Sequence, residues 1–142
     1  MSLTKKEMMA EIVRCGKDPV YFSNKYARIS HPLHGLIPFV ASYVAWMMLF
    51  HRDKNILIVA TKLNTAANLV KKSKAIYKNL PAWLRIASIA IDNRNSFELT
   101  NGSVVKASST SGDAGRSEAL SLLVIDEAAI VEGLDEMWAG LY

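Results

Sequence analysis

Two adjacent carboxylates, Asp126 and Glu127, close the apolar run LSLLVI and open the small-residue turn DEAA. A run of that composition fits a strand buried in a sheet. An acidic pair at its end falls at the carboxyl edge, where open α/β sheets bind their ligands. In the Walker B arrangement the two acids divide the work. Asp126 would hold Mg²⁺, through its water, beside nucleotide phosphates, and Glu127 would orient and polarise the water that attacks a γ-phosphate. A strand that simply ends in an acidic turn gives the same letters, so the pair alone leaves both readings open.

The loop before this run, STSGDAGRSEA, is small, polar and glycine-bearing, and leads to the same sheet edge. Its Arg116 has the planar guanidinium that can neutralise charge on a transferred phosphoryl group, within one site or in a neighbouring subunit's. A surface arginine paired with Glu118 satisfies the spacing equally well. Phosphate chemistry of this type also needs a glycine-rich turn ending in Lys and Ser/Thr, whose N–H groups and ammonium cradle the phosphates. No such run occurs. The one Gly-Lys pair, Gly16-Lys17, is followed by Asp18 instead of a hydroxyl, has Glu11 where the first glycine belongs, and follows a helix pattern. His31 and His34 have no further ligand-type residues at metal spacing and are expected to serve packing or hydrogen bonding.

The elements that must position these residues follow from periodicity. Residues 4–15 place Met8, Met9, Ile12 and Val13 on one helical stripe, ended by Asp18-Pro19. The aromatic, proline-punctuated stretch 18–39 suggests an irregular arm. Residues 36–50, LIPFVASYVAWMMLF, are apolar but fall short of the roughly 18–20 residues of a membrane span and carry Pro38, so a buried core helix is expected, with residues 40–50 its clearest part. ILIVA, residues 56–60, has the look of a parallel strand buried on both faces. Thr61 can cap the next helix, where Leu63, Ala66, Ala67, Val70 and Tyr77 recur at helical spacing and Lys71, Lys72, Lys74 and Lys78 face solvent; Pro81 bounds it. Those lysines could meet nucleic acid, though a solvated face explains them too. Asn101-Gly102 separates two β-compatible runs and supplies the positive φ of a hairpin turn. Strand, helix, hairpin, strand implies an α/β fold with a mainly parallel sheet, flanking helices and one β-hairpin.

At 142 residues and 51% apolar composition, the chain can build one packed core, and 17 Lys and Arg against 13 Asp and Glu give it a charge of +4, which suits a phosphate-bearing partner. The lone Cys15 excludes an internal disulfide and points to a reducing compartment, with the thiol simply packed. The N-terminus lacks the apolar run and cleavage site of a secretory signal.

Taken together, FHRDKNILIVATKLNTAANLV, YKNLPAWL, the block SFELTNGSVVKASSTSGDAGRSEALSLLVIDEAA and VEGLDEMW resemble the large terminase subunit of tailed bacteriophages, the motor that pumps DNA into the capsid. The likeness covers most of the chain. It implies a P-loop NTPase-like fold that uses ATP and Mg²⁺, with Asp126 as the metal-associated acid, Glu127 as the catalytic acid and Arg116 as a nucleotide contact or a finger acting between subunits. Double-stranded DNA, the capsid portal, the small terminase subunit and further copies of the chain are the implied partners, in the host bacterial cytoplasm and with no membrane.

On this resemblance residues 1–39 form an N-terminal helix and arm, and 40–142 a partial ATPase core ending just after Walker B, without the nuclease domain. The family's P-loop would fall around Phe39-Val40, where the arm instead abuts the helix VASYVAWMMLF. Two functions follow as expectations: a fragment of the packaging ATPase, or a non-enzymatic remnant or interaction module that turns over no nucleotide. A small membrane protein anchored by residues 36–50 is the weakest alternative.

Overall fold

A computed structural model describes residues 2–27, 36–110, 119–126 and 139 of the chain. Among these residues lie four α-helices, one 3-10 turn and a five-stranded mixed sheet, an α/β architecture. The first helix, α1 (Lys5–Lys17), starts where the sequence provides a capping box: Glu7 N–H donates to Thr4 Oγ1 at 3.2 Å, and Thr4 N–H donates to the Glu7 carboxylate at 2.7 Å. Its inner face carries Cys15, fully buried, and Ile12, packed against the core. Met9 and Val13, expected on that face, are 60% and 52% exposed. Placing Cys15 inward turns them toward solvent.

The stretch expected as an irregular arm contains a second helix, α2 (Pro19–Lys25). Asp18 serves both helices: its N–H donates to the last carbonyls of α1, while its carboxylate accepts the Tyr21 N–H at 3.0 Å. Pro19 then occupies the first helical position, where a missing N–H costs nothing. His31 and His34 lie outside the described residues.

The apolar run forms α3 (Leu36–Phe50), continuous across Phe39-Val40. Ala41, Val44, Ala45, Met48 and Leu49 are buried, as befits a core helix. No helix among the described residues is long and apolar enough to cross a membrane. Trp46 Nε1 donates to the Cys15 carbonyl at 2.8 Å, and Phe22 meets Phe50 edge-on at 5.6 Å, so α1 and α2 are fastened to α3.

Strand β1 (Asn55–Ala60) is buried from Ile56 to Ala60 and pairs in parallel with β4 (Val104–Ser109) on one side and β5 (Leu122–Ile125) on the other. Helix α4 (Leu63–Asn79) follows β1 directly; Lys62 stands at its N-cap without a side-chain bond, and Thr61 does not cap it. Ala66, Ala67, Leu69, Val70, Ile76 and Tyr77 face the core, whereas Leu63 is exposed. After Pro81 and the turn Ala82–Leu84 come β2 (Ile89–Asp92) and β3 (Ser96–Leu99), both antiparallel to their neighbours, giving the order β2-β3-β4-β1-β5. The sheet, expected to be mainly parallel with one hairpin, is thus mixed: β1, β4 and β5 run parallel, while β2, β3 and β4 form an antiparallel meander of two hairpins, because the exposed β2 adds a hairpin that the sequence pattern does not show. β2 carries no sequence signal because it is an exposed edge, with Ile91 47% exposed.

The expected hairpin forms at Asn101-Gly102, and its tip does more than turn. Asn101 Nδ2 donates to the carbonyls of Met48 and His51 at 2.7 and 3.1 Å, and Ser103 Oγ donates to His51 O at 2.8 Å. These bonds satisfy carbonyls left open at the end of α3. Asp53, at φ 54, donates its N–H to Asn101 O at 3.2 Å and leaves no room above Gly102, at φ 85. A Cβ on Gly102 would run into Asp53 Oδ1, in a backbone region that L-residues avoid. Gly102→Ala is expected to lower stability by about 2 kcal/mol in urea unfolding, while Thr100→Ala, on the exposed neighbour, should cost less than about 1 kcal/mol.

Candidate functional site

The carboxyl ends of the three parallel strands meet in one row. Ala60 is in register with Ser109, and Val59 with Ile125, so Asp126 sits beside Ala60 at the end of β5. Asp126 N–H extends the ladder by donating to Val59 O at 2.8 Å. With strands about 4.8 Å apart, Ser109 and Asp126 are about 10 Å apart across β1. α4 begins three residues after Ala60, so its open amides and positive dipole end belong to the same edge.

Asp126 is half-buried, and its carboxylate has no hydrogen-bond or ion-pair partner among the described residues. β5 places this acid where the sequence pattern requires it, at the carboxyl edge of a parallel strand. Glu127 and Arg116, the other two expected site residues, lie outside the described residues. Among the described residues no three His, Cys, Asp or Glu side chains converge on a possible metal position. A carboxylate at a strand end is a hard oxygen ligand of the kind that divalent cations such as Mg²⁺ take.

β5 closes the sheet at one end, and the four apolar residues Leu122–Ile125 are only partly buried there. Phe39, Val40 and Tyr43 of α3 stand opposite them across a groove of about 400 Å³. The other face of β1 carries a separate small cluster, in which Leu57 and Val59 pack with Leu120, Leu123 and Ile125. Apolar packing thus holds β5 on both faces, and the rigid sheet carries Asp126.

Two charged constellations join residues too far apart in sequence to form a motif. In the first, Glu11 accepts from Tyr21 Oη at 2.6 Å, Lys25 Nζ at 2.8 Å and Tyr26 Oη at 2.9 Å, tying α1 to α2. The Arg14 guanidinium lies 3.8 Å from the Tyr21 ring centre, adding a cation–π contact. Partial burial alone would raise the Glu11 pKa, but the bonds from Lys25 and the two tyrosines reverse that effect and hold the carboxyl at about 2. Burial, reinforced by Glu11, pushes the neighbouring Cys15 thiol up to about 11 and keeps it protonated and inert. The ten- to fifteen-residue spacings of this cluster match no short motif, which is why it was invisible.

In the second constellation Lys74, expected to face solvent, is largely covered: its ammonium pairs with Asp92 and donates to Asn93 O at 2.8 Å. Lys78 reaches the other Asp92 oxygen at 3.1 Å. Hydrogen bonds from Lys74 and Lys78 hold the Asp92 carboxyl below the usual range. Lys71 and Lys72 are exposed, as expected. No known protein-family model matches the sequence.

The Glu11 cluster predicts an acid-sensitive N-terminal pair of helices. Because the folded pKa lies below the ordinary 4.5, the contribution is complete above that pH and drains away as pH falls toward 2. Glu11→Gln should cost about 1.5 kcal/mol at pH 7 and flatten the acid limb of a stability-versus-pH curve. An unchanged limb between pH 4.5 and 2 would refute this assignment.

Proposed function

We propose that this chain is a partial ATPase core of the kind found in large terminase subunits, built on a P-loop NTPase-like sheet, and that in the whole motor it serves ATP-driven DNA translocation in the host bacterial cytoplasm. The observation that carries this reading is Asp126, placed at the carboxyl end of β5 beside the end of the buried parallel strand β1. The open amides of α4 beside that row and the missing side-chain partner of Asp126 support the same chemistry. Bound Mg²⁺ would supply charge neutralisation at the nucleotide phosphates. Asp126 would hold the metal's water shell, Glu127 would orient the attacking water, and Arg116 would meet the charge on the phosphoryl group. DNA, the portal, the small subunit and further copies of the chain are the partners this role requires.

A specific observation favours a second reading. Residues 1–142 contain no glycine-rich turn ending in Lys-Ser or Lys-Thr, and Phe39-Val40, where the resemblance would place it, lies within the continuous helix α3. Two carboxylates cannot replace several N–H donors and an ammonium at the phosphates. A remnant or interaction module, carrying the fold without turnover, accounts for that.

Mg²⁺-ATP hydrolysis by the chain decides between the readings. The chain alone is expected to bind nucleotide very weakly and to show no turnover. A neighbouring reading frame encoding a strand and P-loop, co-expressed with it, should restore hydrolysis, and Asp126→Asn or Glu127→Ala should then cut the rate at least about 100-fold. Restored turnover indifferent to both substitutions would sink the ATPase assignment; turnover by the chain alone that Glu127→Ala abolishes would sink the remnant reading.

A further inference from the structure

The chain contains a single Asn-Gly step, Asn101-Gly102, and it stands at the tip of the β3–β4 hairpin. This dipeptide has a chemistry of its own. With no Cβ on the second residue, the backbone nitrogen between them can approach the asparagine side-chain carbon without crowding. A deprotonated Gly102 nitrogen would attack Asn101 Cγ, forming a C–N bond that closes a cyclic imide. The Cγ–Nδ2 bond breaks, and ammonia leaves with a proton returned from water. A second water then opens the imide at Cγ, giving an aspartate, or at the backbone carbonyl, giving an isoaspartate whose chain runs through the side-chain carbon. No oxidant, reductant or cofactor is consumed.

The folded tip engages each group this reaction needs. Gly102 N–H, the nucleophile, donates to Leu99 O at 3.0 Å. Asn101 Nδ2, the leaving group, donates to Met48 O at 2.7 Å and His51 O at 3.1 Å. Asn101 Oδ1, which must tilt as Cγ is attacked, accepts the Ser103 N–H at 3.0 Å. The backbone is held as well, since Asn101 O accepts the Asp53 N–H at 3.2 Å. Asp53 Oδ1 occupies the space over Gly102 that a Cβ would take, and a carboxylate so placed disfavours loss of the amide proton. Turning the Asn101 side chain toward the Gly102 nitrogen would break its bonds to the end of α3 together.

We propose that Asn101-Gly102 is a self-modification site gated by the fold, closed while the hairpin tip is seated on the end of α3 and open to imide formation when the tip leaves it. The proposal rests on the bonds of the tip and stands whether or not the chain takes part in ATP hydrolysis. Neither product can rebuild the native joint. A carboxylate at this position has no N–H to give to Met48 O and His51 O, so anionic oxygens would face two carbonyls stripped of their donor. An isoaspartate adds a methylene to the backbone and displaces the tip from Asp53 and α3. Each opening that lasts long enough to react therefore leaves a covalent mark that makes the next opening easier.

Parallel incubation of the full chain in buffer and in urea, at one mildly alkaline pH and one temperature, tests this. Peptide mapping by mass spectrometry follows conversion of Asn101 to the acid, and enzymatic methyl labelling of isoaspartate reports the imide route. Conversion should be at least about tenfold faster in urea than in the folded chain. Ser103→Ala removes a bond from the tip to His51 O without touching the reacting atoms, so it should speed conversion in buffer severalfold and leave the urea rate at the parent's value. Gly102→Ala, which crowds the nucleophile, should slow conversion in urea. Asn101→Asp, a stand-in for one product, should unfold at lower urea than the parent. Equal rates for the parent in buffer and in urea would overturn the gating. Acid formation without isoaspartate would overturn the imide route, and an Asn101→Asp chain as stable as the parent would overturn the weakening of the joint.

Discussion

A strand buried on both faces must have both of its edges paired, since water cannot reach its amides and carbonyls. β1 is that strand, and the architecture follows from it. Its neighbours β4 and β5 run parallel to it, so each is reached by a crossover and not by a tight turn. The first crossover is α4, which lays Ala66, Leu69 and Val70 over the sheet. Helix α3 arrives from the other direction and covers the same face with Val44, Met48 and Leu49. The hairpin tip at Asn101 and Ser103 then bonds the end of α3, fixing the point at which the chain enters β1. Hydrophobic burial supplies the stability, while these few polar bonds set the register.

Charge is distributed with opposite logic in the N-terminal helices and around α4. In the N-terminal helices Glu11 is surrounded by donors that consume its charge, giving a joint between α1 and α2 with no capacity left for a ligand. Around α4 the cations outnumber the single acid that organises them. Asp126 belongs to neither pattern. It is a carboxylate delivered by an apolar strand, with no side-chain partner among the described residues.

The features legible in the sequence were those written locally. ILIVA, the Asn101-Gly102 turn and the apolar strand before Asp126 each declare themselves within a few residues, as does the stop of α4 before Pro81. What stayed hidden required contacts across the chain. β2 is exposed and short, and only its pairing with β3 makes it a strand. Lys74 looks like any solvent-facing lysine until Asp92, eighteen residues later, comes to lie beside it. α2 is hidden for another reason: Asp18-Pro19 ends one helix, and the same dipeptide starts the next, with Asp18 as N-cap and Pro19 in the first turn. The position of Asp126 at a strand end is legible because a strand places the residue that follows it by backbone geometry alone; Glu127 and Arg116 lie outside the described residues.

The pairing of β5 with β1 is a long-range link. Asn55 N–H donates to Ser121 Oγ at 3.1 Å across 66 positions of chain. Closing so long a loop carries an entropic cost that local elements such as α4 and the β2–β3 hairpin do not face. The position of the Asp126 carboxylate is therefore set by a contact that only the assembled sheet provides, and loosening the core would displace that acid without touching it.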